Sequence, residues 1–512
     1  MPSHPSRRLA ALALLVVPLV AGSFFLGRWS DDGYRLFQNV LGLVQRDAVE
    51  PPNADSLFQG AARGVVAGLG DRYAELYSPE EFSRFNRNSL GNQYGGIGLR
   101  IGRRHGTIAV FRVLPGGPAH DAGMQRGDEI IQVGDSSTAG WSVDQASSHM
   151  TGEPGTPVRI RVRRPATAEE FDLPLVRAVI QQQAVPFVAM LDGHVGYVPL
   201  RRFSDHSAAD MAGAVSRLAA AGAERLVIDL RGNPGGSLSQ AVALSSLFLR
   251  PGDLVVRVQY RRDADTLRAA QGPVIPANIP VAVLVDSNSA SASEIVAGAL
   301  QDHDRALLVG TVSYGKGLVQ GVYQLDGGWV LRMTTGHWFT PSGRLIQRDH
   351  SDTAARTRPV YLSDAGRKVL GGGGISPDVQ VFADTLSSGE LAVARILGSQ
   401  LRAADSVLQD YAETLEPEVT TGFTFQPAWR TGLVRQLRNA GFFLPDTLAR
   451  AGGPYLDRIL DGRLSSLALS DSAGFVRNVP LDRQLLTALD LLGRARSQRE
   501  LYAVALRQPH EG

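Results

Sequence analysis

Three short stretches of the chain gather residue types able to do covalent chemistry. The first is Asp286-Ser-Asn-Ser-Ala-Ser-Ala-Ser-Glu294, between the apolar run Val281 to Val285 and an Ala-rich segment of helical spacing. A serine where a strand turns into a helix faces unpaired amides and the positive end of the helix dipole, and both stabilise developing negative charge. An acyl-enzyme nucleophile needs that environment. The same residues also cap helices, and Glu294 can close a capping box with Ser291. Spacing alone does not choose among Ser289, Ser291 and Ser293.

The second stretch, Arg225-Leu-Val-Ile-Asp-Leu-Arg-Gly-Asn-Pro-Gly235-Gly236-Ser-Leu238, is a buried strand pattern that ends in a glycine turn. The amides of Gly235 and Gly236 can approach a reacting carbonyl closely, as an oxyanion hole requires, although an ordinary turn between strand and helix looks the same. The stretch has neither the GxxxxGK[ST] nor the GxGxxG spacing of a phosphate-binding loop. The third is Ser313-Tyr-Gly-Lys316-Gly-Leu-Val-Gln320. Of 52 basic residues only Lys316 and Lys368 are lysine. Arginine keeps its proton at any working pH whereas a buried lysine can lose it, so a lysine kept between glycines is a candidate general base. A GC-rich genome explains the arginine bias equally well. Ser313 and Lys316 fit S-x-x-K, but Gly315 and Gly317 disfavour the helix that motif needs, and neither SDN nor KTG occurs.

Composition removes several other chemistries. The chain has no cysteine, which excludes disulfides, thiolate metal sites and a cysteine nucleophile. Its ten histidines include none beside G-x-S-x-G and none at metal-ligand spacing, so no metal or cofactor is expected. With 52 basic against 50 acidic residues the net charge is +2, which gives no electrostatic case for nucleic acid. A hydrophobic fraction of 44% in 512 residues predicts several folded domains.

The elements that must position these residues follow from the pattern along the chain. Arg7 and Arg8 precede the uncharged stretch Leu9 to Gly27, which reads as an export segment within residues 1–30. Uncleaved, it anchors the chain to the inner membrane with the remainder outside, in the periplasm; a removed signal peptide is the alternative. Residues 31–90 are expected to be a helical segment, 91–165 a compact β-rich domain, and 166–381 an α/β core in which strand runs alternate with helices. Residues 382–512 carry helical periodicity and read as a C-terminal all-helical domain.

Together these residues resemble the carboxyl-terminal processing (tail-specific) proteases, PDZ-containing Ser/Lys serine peptidases. The likeness covers roughly Leu36 to Val381, including Leu76-Tyr-Ser-Pro-Glu-Glu-Phe82, Thr340-Pro-Ser-Gly-Arg344 and Gly371-Gly-Gly-Gly-Ile-Ser-Pro-Asp378. It implies a crotonase-like core with an inserted PDZ domain, Ser291 as nucleophile, Lys316 as base and Gln320 as the residue that orients the lysine. It further implies an oxyanion hole from the amide of Ala292 with Gly235 or Gly236. Tyr94-Gly-Gly96-Ile97-Gly98-Leu99 resembles the PDZ loop that holds a free C-terminal carboxylate. Asp302 matches an acid of some members, with an exposed helix-end pairing to Arg305 as its ordinary reading.

On this resemblance the chain is a serine endopeptidase that takes protein substrates by their free C-terminal tails; the alternative is a catalytically silent PDZ scaffold. The helical domain matches nothing recognisable, and oligomerisation, adaptor or activator binding, and substrate capture are its candidate roles.

Overall fold

The computed structural model describes residues 31–50, 53–86, 93–104, 106–181, 183–270, 274–348, 358–382, 386–420, 422–469 and 471–507. The expected export segment lies outside them. The chain divides into two compact units, one running to Ser78 with Val322–Met333 added and the other holding the remainder. In the first, helices Asp31–Asp47 and Ala54–Ala67 precede strand Glu75–Tyr77, which pairs antiparallel with Val330–Arg332. Arg63 ties helix to strand by donating to the Leu76 carbonyl at 2.9 Å.

The larger unit begins with a β-rich domain. Its sheet runs in the order β1 (Leu99–Arg104), β2 (Thr107–Val113), β3 (Glu129–Val133), β4 (Pro157–Arg164), β5 (Glu169–Val176), so that β1 lies at an edge. Helix α1 (Val143–Met150) starts at Ser142 with a complete capping box to Gln145. Strict alternation in β4 buries Val158, Ile160 and Val162 and exposes the residues between them, the signature of a sheet with one face on a core.

Six strands form the core sheet, in the order β6 (Ala189–Leu191), β7 (Val195–Pro199), β8 (Arg225–Asp229), β9 (Val281–Val285), β10 (Leu307–Gly310), β11 (Val379–Gln380). All neighbours are parallel except β6 with β7. A parallel sheet is buried on both faces, and β9 is accordingly apolar throughout. On one face Val281, Val283 and Val285 pack with α2 (Ser207–Ala220), α3 (Leu238–Ser246) and α4 (Ala292–Asp302). On the other, Ala282 and Leu284 pack with α7 (Arg483–Gly493) and α8 (Gln498–Ala505) through Leu485, Leu491 and Leu501.

The helices beyond residue 382 therefore serve two cores. Those from Ser388 to Ala468, among them α5 (Leu401–Leu415) and α6 (Gly453–Ala468), share a cluster built on Leu408, Trp429, Leu433 and Leu460. The last two close the core sheet. Tyr197, Asp229, Arg231 and Asp482 bind this closure: the Tyr197 hydroxyl donates to Asp229 at 2.6 Å, and Arg231 spans Asp229 and Asp482. Burial and the adjacent Asp229 charge push the Tyr197 hydroxyl far above its ordinary pKa, so it stays a donor.

Candidate active site

The Ser-rich stretch leaves the C-terminal end of β9 and enters α4. Its three candidate hydroxyls are not equivalent. Ser289 Oγ is buried and donates to the Leu230 carbonyl at 2.8 Å, and Ser293 Oγ is buried and donates to the Asn233 carbonyl at 3.0 Å. Ser291 is only half-buried and stands at the N-cap of α4 with φ +55° and ψ −112°. A side chain held in that region costs about 1–3 kcal/mol, and such strain persists where the surroundings fix a sharp strand-to-helix turn.

Glu294 supplies much of that fixing. It is fully buried, and both its oxygens are engaged. Oε2 accepts from the amides of Ser291 at 2.8 Å and Lys316 at 2.9 Å. Oε1 accepts from Ser313 Oγ at 2.5 Å and the Gly315 amide at 2.7 Å. Two amides that converge on one oxygen bring the serine loop and the lysine loop together. Burial raises the carboxyl's pKa, and the four donors pull it back without cancelling the rise. The sequence offered Glu294 only as a capping-box partner; its bonds to a loop some twenty residues on follow no local spacing.

The lysine loop is held from behind as well. Arg348 donates to the Ser313 and Gly373 carbonyls at 3.0 and 2.6 Å, and Ser313 Oγ accepts from the Ile375 amide at 2.7 Å. The Lys316 carbonyl accepts from Trp338 Nε1 at 3.0 Å, and its side chain is half-buried. Gln320 lies on the following strand, Leu318–Gln324, where its Nε2 is buried with no hydrogen-bond partner among the described residues.

The glycine turn after β8 abuts the serine. Gly235 has φ +94°, and a Cβ there would stand 2.6 Å from the Ala290 carbonyl oxygen, 2.8 Å from the Ala292 nitrogen and 2.9 Å from Ser291 Cβ. Only glycine permits that approach. The Gly235 amide already donates to Asn233 Oδ1 at 2.9 Å. By contrast, the Gly236 and Ala292 amides donate to no acceptor among the described residues. The glycine turn and the start of α4 thus each leave one N–H group unengaged, that of Gly236 and that of Ala292.

In the β-rich domain, strand Gln93–Gly96 pairs with Ala178–Gln181 and delivers the chain to the loop through Gly98. The Ile97 and Gly98 carbonyls accept from Ala119 and Leu114, both at 2.9 Å, while the amides of Ile97 and Gly98 donate to no acceptor among the described residues. Leu99 then opens edge strand β1.

One expectation is overturned. Asp302 is buried, not exposed, and pairs with the buried Arg344 instead of Arg305. It also accepts from the Ser342 amide at 2.9 Å. Arg305 turns inward to three carbonyls, of Phe248, Pro276 and Ile279, and burial pushes its guanidinium down to about 10. Helix neighbourhood suggested the pair; tertiary packing supplied a different partner.

Residues 194–381 match the sequence model of peptidase family S41, and residues 85–163 that of the PDZ domain. The chain is 33% identical over 317 residues to a carboxy-terminal-processing protease of Bartonella bacilliformis, covering 61% of this chain and 72% of that protein. It belongs to the carboxy-terminal processing proteases. The carboxy-terminal processing protease CtpB of Bacillus subtilis is also 33% identical, over 325 residues, 63% of this chain and 67% of that one. Among solved structures, a photosystem II D1 C-terminal processing protease is 27% identical, covering 71% of this chain and 90% of that one, with a TM-score of 0.39. As a member of this family the chain is a serine peptidase that carries a PDZ domain, as the resemblance implied.

Proposed function

We propose that Ser291 is the nucleophile and Lys316 the general base of an endopeptidase that captures substrates by their free C-terminal tails. The observation that carries this reading is Glu294, whose Oε2 binds the amides of Ser291 and Lys316 at 2.8 and 2.9 Å and so joins the two loops at one atom. The neutral Lys316 amine takes the proton from Ser291 Oγ as that oxygen attacks the scissile carbonyl carbon. The carbonyl π pair moves onto oxygen, and the oxyanion is met by the Ala292 and Gly236 amides. Collapse expels the amine, which receives the proton from Lys316, and leaves Ser291 as an ester. Water, deprotonated by Lys316, hydrolyses it. Gln320 orients the amine.

The tail carboxylate docks on the Ile97 and Gly98 amides while the peptide adds as a strand beside β1. Residues 9–27 hold the enzyme at the inner membrane on its periplasmic side, a reading supported by their length, lack of charge and preceding arginines. No helix among the described residues is long and apolar enough to cross a membrane.

The test follows degradation of an unfolded protein with an apolar C-terminal tail by wild type, Ser291→Ala and Lys316→Ala. Both folded variants are expected to cut nothing. Full activity in Lys316→Ala would remove the assigned base, and a silent wild type would favour the scaffold.

A further inference from the structure

The PDZ sheet ends on β1, whose outer edge pairs with no other strand among the described residues. Beyond it opens a cleft of about 550 Å³ whose far wall is not part of the PDZ domain. One side is made by Arg100 and Arg103 on β1 and by Asp144 at the start of α1. The other is made by Asp405 on α5, Arg463 and Ser466 on α6, and Asp471. Three ion pairs hold the two sides in register: Arg104 with Glu413 at 3.2 Å, Arg112 with Asp471 at 2.6 Å, and Arg126 with Glu416 at 2.7 Å.

The charges within the cleft are unequally committed. Asp405 is paired with Arg463, and Asp471 with Arg112. Arg100 and Arg103 are exposed and have no carboxylate partner among the described residues; Arg103 donates only to the Gly106 carbonyl, at 3.1 Å. The helical wall has therefore spent its acids, while the β1 side keeps, among the described residues, two uncommitted cations, Arg100 and Arg103, against one uncommitted carboxylate, Asp144.

A peptide whose carboxylate sits on the Ile97 and Gly98 amides runs antiparallel to β1, advancing about 3.3 Å per residue. Its residues three to five places before the terminus then lie beside Gly102 to Arg104, next to Arg103 and starting two residues, ~7 Å, beyond Arg100. We propose that the cleft between β1 and helices α5 and α6 is a specificity subsite that selects acidic side chains three to five residues before the substrate's terminal carboxylate. A carboxylate there takes paired hydrogen bonds from a guanidinium, the geometry for which arginine is suited. The helical domain confines this segment and so takes part in choosing substrates. The inference rests on the tail-binding reading given above.

The experiment uses the full chain with Ser291→Ala and two fluorescein-labelled decapeptides that share three apolar C-terminal residues. One carries Glu and the other Lys at the three preceding positions, and binding is read by anisotropy. The acidic peptide should bind about tenfold more tightly at low salt, a difference of ~1.4 kcal/mol. Adding Arg100→Ala with Arg103→Ala should bring the two affinities together. Adding Ser466→Glu, an exposed change on the helical wall, should weaken the acidic peptide about fivefold or more, by like-charge repulsion, and spare the lysine peptide. Equal binding of the two peptides, or a preference untouched by Ser466→Glu, overturns the subsite and leaves PDZ tail binding standing. Failure of both peptides to bind overturns the tail-binding reading itself, and the subsite with it.

Discussion

The serine junction of the core and the groove face of the PDZ domain both leave backbone amides unengaged among the described residues, yet they are built differently. Around Ser291 the positioning groups are buried and doubly engaged: Glu294 takes four hydrogen bonds, and Ser313 Oγ both donates and accepts. Around β1 the positioning groups are ion pairs in which at least one side chain reaches solvent, such as Arg112 with Asp471. Buried hydrogen bonds to a charge hold a geometry and fail abruptly when one partner goes. Exposed pairs are individually weak, screened by salt, and easily exchanged. On the proposed reading, the chemistry sits on the rigid construction and the choice of substrate on the adjustable one.

Substitutions on the two faces should therefore differ in size. The largest effect is expected at the reacting atom: Ser291→Ala should lower kcat/KM by roughly 10⁶-fold with the melting temperature unchanged or raised, since alanine carries the same strain but no role. A residual rate within tenfold of wild type would place the chemistry elsewhere. Next comes Glu294→Gln, which removes an acceptor from buried amides. We expect kcat to fall by about 10²-fold or more with KM nearly constant, and stability to drop by roughly 2–4 kcal/mol in urea titration. An unchanged kcat would mean that the two loops hold together without the carboxylate.

Gly235→Ala tests the close approach of the glycine turn. The new Cβ meets the Ala290 carbonyl and the Ala292 nitrogen at a left-handed φ, so a loss of about 2–3 kcal/mol of stability accompanies a fall in kcat. The smallest effect belongs to the recognition face. Arg112→Ala should cost less than about 1 kcal/mol and leave cleavage of a short ester substrate untouched, with the cost vanishing at high salt. A loss as large as that of Glu294→Gln would erase the distinction between the two regions.

Much of the core was legible in the sequence because its signals are local. Val281 to Val285 reads as a fully buried strand, the serines that follow it as a junction, and Gly235-Gly236 as a turn that tolerates close contact. The parts that were not legible depend on partners far along the chain. Nothing near Glu294 announces the Gly315 and Lys316 amides, and nothing near Asp302 announces Arg344. Helical periodicity in 483–505 was plain, but the identity of the surface its leucine stripe covers, the second face of the protease sheet, is not a property of the stripe. Spacing alone left Ser289, Ser291 and Ser293 open and the family resemblance implied Ser291; the structure adds that the Ser289 and Ser293 hydroxyls are bonded to carbonyls while Ser291 stands at a strained helix start.

The central claim is that Ser291 forms the acyl-enzyme with Lys316 as its base. Wild type, Ser291→Ala and Lys316→Ala should be mixed with an activated peptide ester, quenched in acid within the first turnover, digested and mapped by mass spectrometry. The account predicts the acyl mass on Ser291 alone in wild type, none in Ser291→Ala, and formation slowed by at least about 10³-fold in Lys316→Ala. An acyl group on Ser289 or Ser293, or wild-type acylation in Lys316→Ala, would contradict it.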